Sequence, residues 1–95
     1  IYLANKMDLK SKIYDLIFNK LNVSKIDLVD ESYKHIGHNK DTNGGHFKLL
    51  VVSDDFQNMK LLDRHKLIYN ILEKMIKVDI HALSIRAFTK QEYIK

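Results

Sequence analysis

The sequence predicts a small α/β domain: a three-stranded mixed sheet with its helices packed on one face. Three observations carry this. Two stretches place apolar residues at helical spacing. Three others read as strands by alternation or by β-branched content. The longer helical stretch falls between the second and third strands, which suits a right-handed crossover. Ninety-five residues allow one modest core, so a single domain over residues 1–95 is expected.

The first periodic stretch is MDLKSKIYDLIFNKLN, with Leu9, Ile13, Leu16, Ile17 and Leu21 on one face and Asp8 as the expected N-cap. SKIDLVDES follows, where Ile26 and Leu28 alternate with Asp27 as in a strand. HIGHNKDTNGG is polar, and its Asn43-Gly44 pair is a turn signal. HFKLLVVS has the content of a second strand, so an antiparallel pair with a long connection is expected. DDFQNM reads as a turn or a single helical turn.

KLLDRHKLIYNILEKMIK is the longest helical pattern. Leu61, Ile68, Leu72 and Met75 form its stripe, widened by Leu67, Ile71 and Ile76, and Lys74 and Lys77 sit where the helix dipole favours cations. KVDIHALSIRAF supplies the third strand. TKQEYIK is a short terminal helix in which Thr89 and Glu92 make a capping box.

Composition narrows the chemistry. There is no cysteine, so disulfides, thiolate metal sites and cysteine nucleophiles cannot come from this chain. The net charge of +4 permits attraction to nucleic acid or to an acidic protein surface. It is carried mostly by lysine, however, with only Arg64 and Arg86 as arginines, and base readout favours arginine forks. No apolar run approaches the length of a membrane span, so no membrane partner is expected. The chain begins at Ile1 rather than Met, which fits a trimmed or processed form.

Nucleophile-elbow and phosphate-loop patterns are missing, and Asp54, Asp55 and Asp63 lie in no recognisable catalytic constellation, so no enzyme is expected. Five histidines are the residues that could carry chemistry: His35, His38, His46, His65 and His81. His35 and His38 are spaced H-x-x-H, a weak metal signal alone. His65, early in the long helix, reads as a neutral, internally bonded imidazole. His38 and His46 read as a solvated loop residue and a strand-edge residue. His81 opens the third strand with the parity of Leu83 and Ile85. From the residues alone it is either a satisfied core histidine or a ligand.

Four segments in register, VDESYKH, GGHFKLLVVSDDF, DRHKLIYNIL and IHALSIRAFT, resemble the BolA family from about Ser11 to the C-terminus. The pattern is most similar to members that keep a histidine in the loop between the first two strands. The resemblance implies an αββ(α)αβα fold like the class II KH domain. It also implies a non-enzymatic partner of a monothiol glutaredoxin, the two chains sharing a [2Fe–2S] cluster in iron–sulfur assembly, trafficking or iron regulation.

On that resemblance the glutaredoxin and its glutathione give thiolates, and this chain gives His81, from the family's HAL motif, and His35 from the loop, with His38 and His46 as alternates. Two imidazoles on one iron raise its potential, and imidazole ligation is pH-sensitive. The isolated chain is expected to be a monomer without cofactor. Its place is an organellar matrix, mitochondrial or other, if the source is eukaryotic, and the cytoplasm otherwise.

Family members are also described as transcriptional regulators, and on that alternative reading Lys60, Arg64 and Lys66 would meet nucleic acid. The sequence departs from the family at three points. It lacks the GxxG of KH domains. It has Phe56-Gln57-Asn58 where Phe-x-Gly is common, and Tyr93 where Trp is frequent. Asn tolerates the left-handed backbone, so the turn is expected to survive.

Overall fold

A computed structural model of the protein describes residues 6–31, 45–78 and 80–94. In chain order these form α1 (Lys6–Lys20), β1 (Val23–Asp30), β2 (Gly45–Ser53), a 3-10 turn (Asp54–Phe56), α2 (Leu61–Ile71), α3 (Glu73–Val78), β3 (Ile80–Phe88) and α4 (Lys90–Ile94). The sheet order is β1-β2-β3. β1 and β2 are antiparallel, whereas β2 and β3 are parallel. The parallel pair is joined through α2 and α3, as a crossover requires. The sheet is therefore mixed, and its main helices, α1–α3, pack on one face, which is the αββ(α)αβα arrangement expected from the sequence.

The core is built as the periodicities dictate. Ile13, Ile17 and Leu21 face Leu28 of β1, Phe47, Leu49 and Val51 of β2, and Ile85 and Ala87 of β3. Ile68, Leu72 and Met75 complete this layer around Phe56. Alternation shows in the first part of β2, where Phe47 and Leu49 are buried and Lys48 is exposed, whereas Val51 and Val52 are both buried, on opposite faces. Burying each such aliphatic side chain stabilises the fold by about 1.5–3 kcal/mol.

Four local readings are corrected. α1 starts at Lys6, so Asp8 lies inside the helix and is not its N-cap. The longest helical pattern is two helices, because the chain turns at Leu72, whose backbone N–H bonds to the Ile68 and Asn70 carbonyls. Leu72 itself is fully buried at the junction. Lys77 and Val78 belong to α3, and β3 begins only at Ile80. Leu61, assigned to the apolar stripe, is 62% exposed; the buried position in that first turn is Arg64.

The acidic pair after β2 satisfies backbone donors. Asp55 accepts the Asn22 N–H at 2.8 Å, and Asp54 accepts the Lys90 N–H at 3.0 Å. These bonds tie the end of α1 and the start of α4 to one turn.

Phe56 to Met59 form a type II turn. Gln57 has φ −58° and ψ 137°, Asn58 has φ 66°, and the Met59 N–H bonds to the Phe56 carbonyl at 3.0 Å. Such a turn needs positive φ at its third residue, so a glycine suits this place and an asparagine survives in it. Asn58→Ala is expected to lower stability by about 1 kcal/mol, and Asn58→Gly to hold or raise it. Urea midpoints of the two variants check this; equal midpoints would mean that the turn is not strained.

Candidate functional site: the histidine end of the sheet

The sheet face turned away from α1–α3 can be read off the register. Lys25, Val52 and Phe88 form one row, Asp27, Leu50 and Arg86 the next, and Val29, Lys48 and Ser84 the third. The first row is closed over by α4. Tyr93 lies 6.1 Å from the Phe88 ring, Lys25 Nζ stands over Tyr93, and Val52 beneath them is buried. The remaining rows are open, with Val29 44% exposed.

The last row is where the candidate histidines meet the fold. The Glu31 N–H donates to the His46 carbonyl at 2.7 Å, and Glu31 pairs with Lys48 at 3.7 Å. His46 is half-buried with Nε2 enclosed, and it pairs across the parallel ladder with Ala82. A shallow cavity of about 220 Å³ lies among Glu31, His46, Lys48, Ala82 and Ser84.

His81 has a special backbone position. Gly45 pairs with Ile80 and His46 pairs with Ala82, so His81 is the extra residue of an irregularity in β3. The burial pattern records the same slip: Ile80 is buried although Ala82, Ser84 and Arg86, of like parity, are exposed. The simple alternation through Ile85, Leu83 and His81 therefore stops at the bulge. Bulges break the ladder and re-aim a residue, and they recur beside functional sites.

The structure thus brings the backbones of His46 and His81 together at one end of adjacent strands. His35 and His38 lie outside the described residues, within the segment that joins Glu31 to Gly45. Among the described residues no group of three His, Asp or Glu side chains converges on a metal position. No described helix is long and apolar enough to cross a membrane.

The basic residues divide differently. Lys60 and Lys66 are exposed on and beside α2. Arg64 is 5% exposed, and its guanidinium is engaged inside the fold. Nε donates to the Met59 carbonyl at 3.0 Å, and Nη1 donates to the Ala87 carbonyl at 3.0 Å. Nη1 and Nη2 also grip the Glu92 carboxylate at 2.7 and 3.1 Å. Its charge, expected at a nucleic-acid surface on the alternative reading, is turned inward because Glu92 and two strand and turn carbonyls take its donors.

Glu92 joins this clasp to the capping box. Its Oε1 accepts the Thr89 N–H at 2.8 Å while its own N–H donates to Thr89 Oγ1 at 3.2 Å. The Arg64 hydrogen bond, then the Thr89 backbone bond, hold its pKa at about 2, against an ordinary 4.5. A depressed carboxylate stabilises the fold above its unfolded pKa, and that stability is lost as pH falls towards the folded value. Wild type and Glu92→Gln are therefore expected to differ by a constant amount above pH 4.5 and to converge between 4.5 and 2. Denaturant midpoints across that range check it; a gap that persists at the acid end would contradict it.

The local residue pattern carries no sign of the Arg64–Glu92 pair, whose members lie 28 residues apart. Nor did it single out Tyr69, whose hydroxyl donates to the Leu83 carbonyl of β3 at 3.0 Å.

A three-stranded αββ(α)αβα domain with a mixed sheet defines the class: a small α/β protein of the KH-like kind. The chain belongs to the BolA family, whose description, BolA-like protein, it matches over residues 17–92. Three relatives illustrate the range. SufE-like protein 1, chloroplastic/mitochondrial, of Arabidopsis thaliana is 38% identical over 85% of this chain, which spans only 24% of that protein. The solved BolA domain of SufE1 from the same plant superposes with a TM-score of 0.77 at 37% identity, covering 96% of this chain and 99% of that one. UV-induced protein uvi31 of Schizosaccharomyces pombe is 37% identical, with 83% of this chain and 82% of that protein covered. The DNA-binding transcriptional regulator BolA of Escherichia coli is 35% identical over 72% of this chain and 63% of that protein. As a BolA protein the chain is not an enzyme.

Proposed function

We propose that this chain is an adaptor that shares a [2Fe–2S] cluster with a monothiol glutaredoxin, in iron–sulfur assembly, trafficking or iron regulation. The observation that carries the reading is the placement of His81, as the extra residue of a bulge, directly beside the start of β2. The segment bearing His35 and His38 leaves Glu31 and rejoins the chain at Gly45, at the same end of the sheet. The donor chemistry fits this role. A chain without cysteine offers imidazoles, so the thiolates come from the glutaredoxin and its glutathione. His81 is one donor. His35 is the second, with His38 and His46 as alternates. The chloroplastic/mitochondrial relative favours an organellar matrix if the source is eukaryotic.

The test is a visible circular dichroism titration of a glutathione-loaded glutaredoxin cluster with this chain. A new spectrum saturating at one chain per cluster supports the reading, and an unchanged spectrum overturns it. The second reading, a nucleic-acid-binding regulator, is favoured by the relative named as a DNA-binding regulator and by the exposed Lys60 and Lys66. Salt-dependent binding of duplex DNA alongside an unchanged cluster spectrum would put it first.

A further inference from the structure

α2 holds β3 at two carbonyls four residues apart. Arg64 takes Ala87, near the end of the strand, and Tyr69 takes Leu83, near its start. The second contact lies two residues beyond His81, where β3 passes from its bulge into regular register. Phe47 pairs with Leu83, and each following pair advances by one residue on both strands. A strand whose register is fixed only by ladder bonds can shift by one residue, and each such shift reverses every side chain. Here a shift would exchange which of Ile80, His81 and Ala82 stands unpaired. Three features oppose it: the burial of Ile80 in the core, the Arg64 bond to Ala87 at the far end of the strand and, nearest the bulge, the Tyr69 bond to Leu83.

We propose that Tyr69 is a positioning residue for His81. Its hydroxyl pins β3 at Leu83, so that His81 and no neighbour occupies the bulge beside His46. The inference rests on the reading of His81 as a cluster ligand. Tyr69 touches neither cluster nor partner in this role; it acts through the backbone of β3.

Tyr69→Phe tests it, because the substitution removes one hydroxyl and leaves the ring. Tyr93→Phe, at the opposite end of the sheet, is the control. In the free chain, amide hydrogen exchange at residues 82–84 is expected to quicken about 2- to 10-fold in Tyr69→Phe, the factor carried by one hydrogen bond. With the glutaredoxin, the shared cluster is expected to bleach faster by a similar factor, and its circular dichroism to weaken. Tyr93→Phe should leave both unchanged.

Unchanged exchange in Tyr69→Phe overturns the proposal at its root. Faster exchange with an unaltered spectrum and lifetime also overturns it, since Tyr69 would then stabilise the strand without positioning a ligand. No cluster signal with the wild-type chain removes the ligand reading itself, and the proposal with it. A wild-type signal that survives in Tyr69→Phe removes only the proposal.

Discussion

Arg64→Ala is expected to destabilise the protein by roughly 3 kcal/mol, the lower part of the range for breaking a buried ion pair. The side chain is buried and makes four hydrogen bonds to three acceptors, while its guanidinium carbon stands 5.7 Å from the centre of the Phe56 ring. Truncation leaves the Met59 and Ala87 carbonyls without these donors and leaves the Glu92 carboxylate without its cation. Glu92, with its side chain 46% exposed, regains water, which keeps the cost from the top of the range. For a domain of this size the loss corresponds to a fall in Tm of roughly 10–20 °C. Urea unfolding should show a lower midpoint at unchanged slope. Arg64→Lys is expected to recover only part of the loss, because a lysine cannot present the planar fork that meets both Glu92 oxygens. A midpoint within about 0.5 kcal/mol of wild type would show that the clasp contributes nothing, as surface pairs often do.

The second large effect concerns function. His81→Ala is expected to abolish the circular dichroism that this chain induces in the glutaredoxin cluster while leaving the far-ultraviolet spectrum and the urea midpoint close to wild type. The separation follows from position. His81 is the residue left over in the β2–β3 ladder, so the pairs on either side of it, Gly45 with Ile80 and His46 with Ala82, do not depend on its side chain. Its removal takes away one of two imidazoles, and a cluster with one ligand fewer binds weakly or reverts to the glutaredoxin alone. His35→Ala, His38→Ala and His46→Ala, measured beside it, identify the second donor as the variant that repeats the loss. If His81→Ala keeps the full spectrum, the ligand assignment fails. If it unfolds the chain, His81 is a core residue after all.

The fold was largely legible because its signals are local. Helical spacing located α1 and α2, alternation located β1, β-branched and apolar content located β2, and the T-x-x-E pattern located the cap of α4 down to its two reciprocal bonds. The break at Leu72 was not legible, since a fully buried leucine continues the apolar stripe and conceals the turn. Leu61 misled for the opposite reason: a leucine at stripe spacing in a first turn is exposed when an arginine fills the space beside Phe56. In the site, residue type and family resemblance pointed to the histidines, but the bulge that makes His81 the odd residue depends on pairing with a strand some 35 positions earlier in the chain. Contacts such as Arg64 with Glu92, or Tyr69 with Leu83, leave no periodic trace at all.

The bonds from Arg64 and Tyr69 to β3 carry one more consequence. β3 has β2 on one flank only, and its other flank is an outer edge of the sheet. An outer edge recruits foreign strands through its unpaired carbonyls and amides, which is how sheets grow into aggregates or accept a peptide. Here the Leu83 and Ala87 carbonyls already accept bonds from α2. An incoming strand would have to displace a tyrosine and a buried arginine to lie along β3. Strand addition along β3 is thereby opposed, and the sheet is expected to stay three strands wide on the β3 side even when the chain is concentrated.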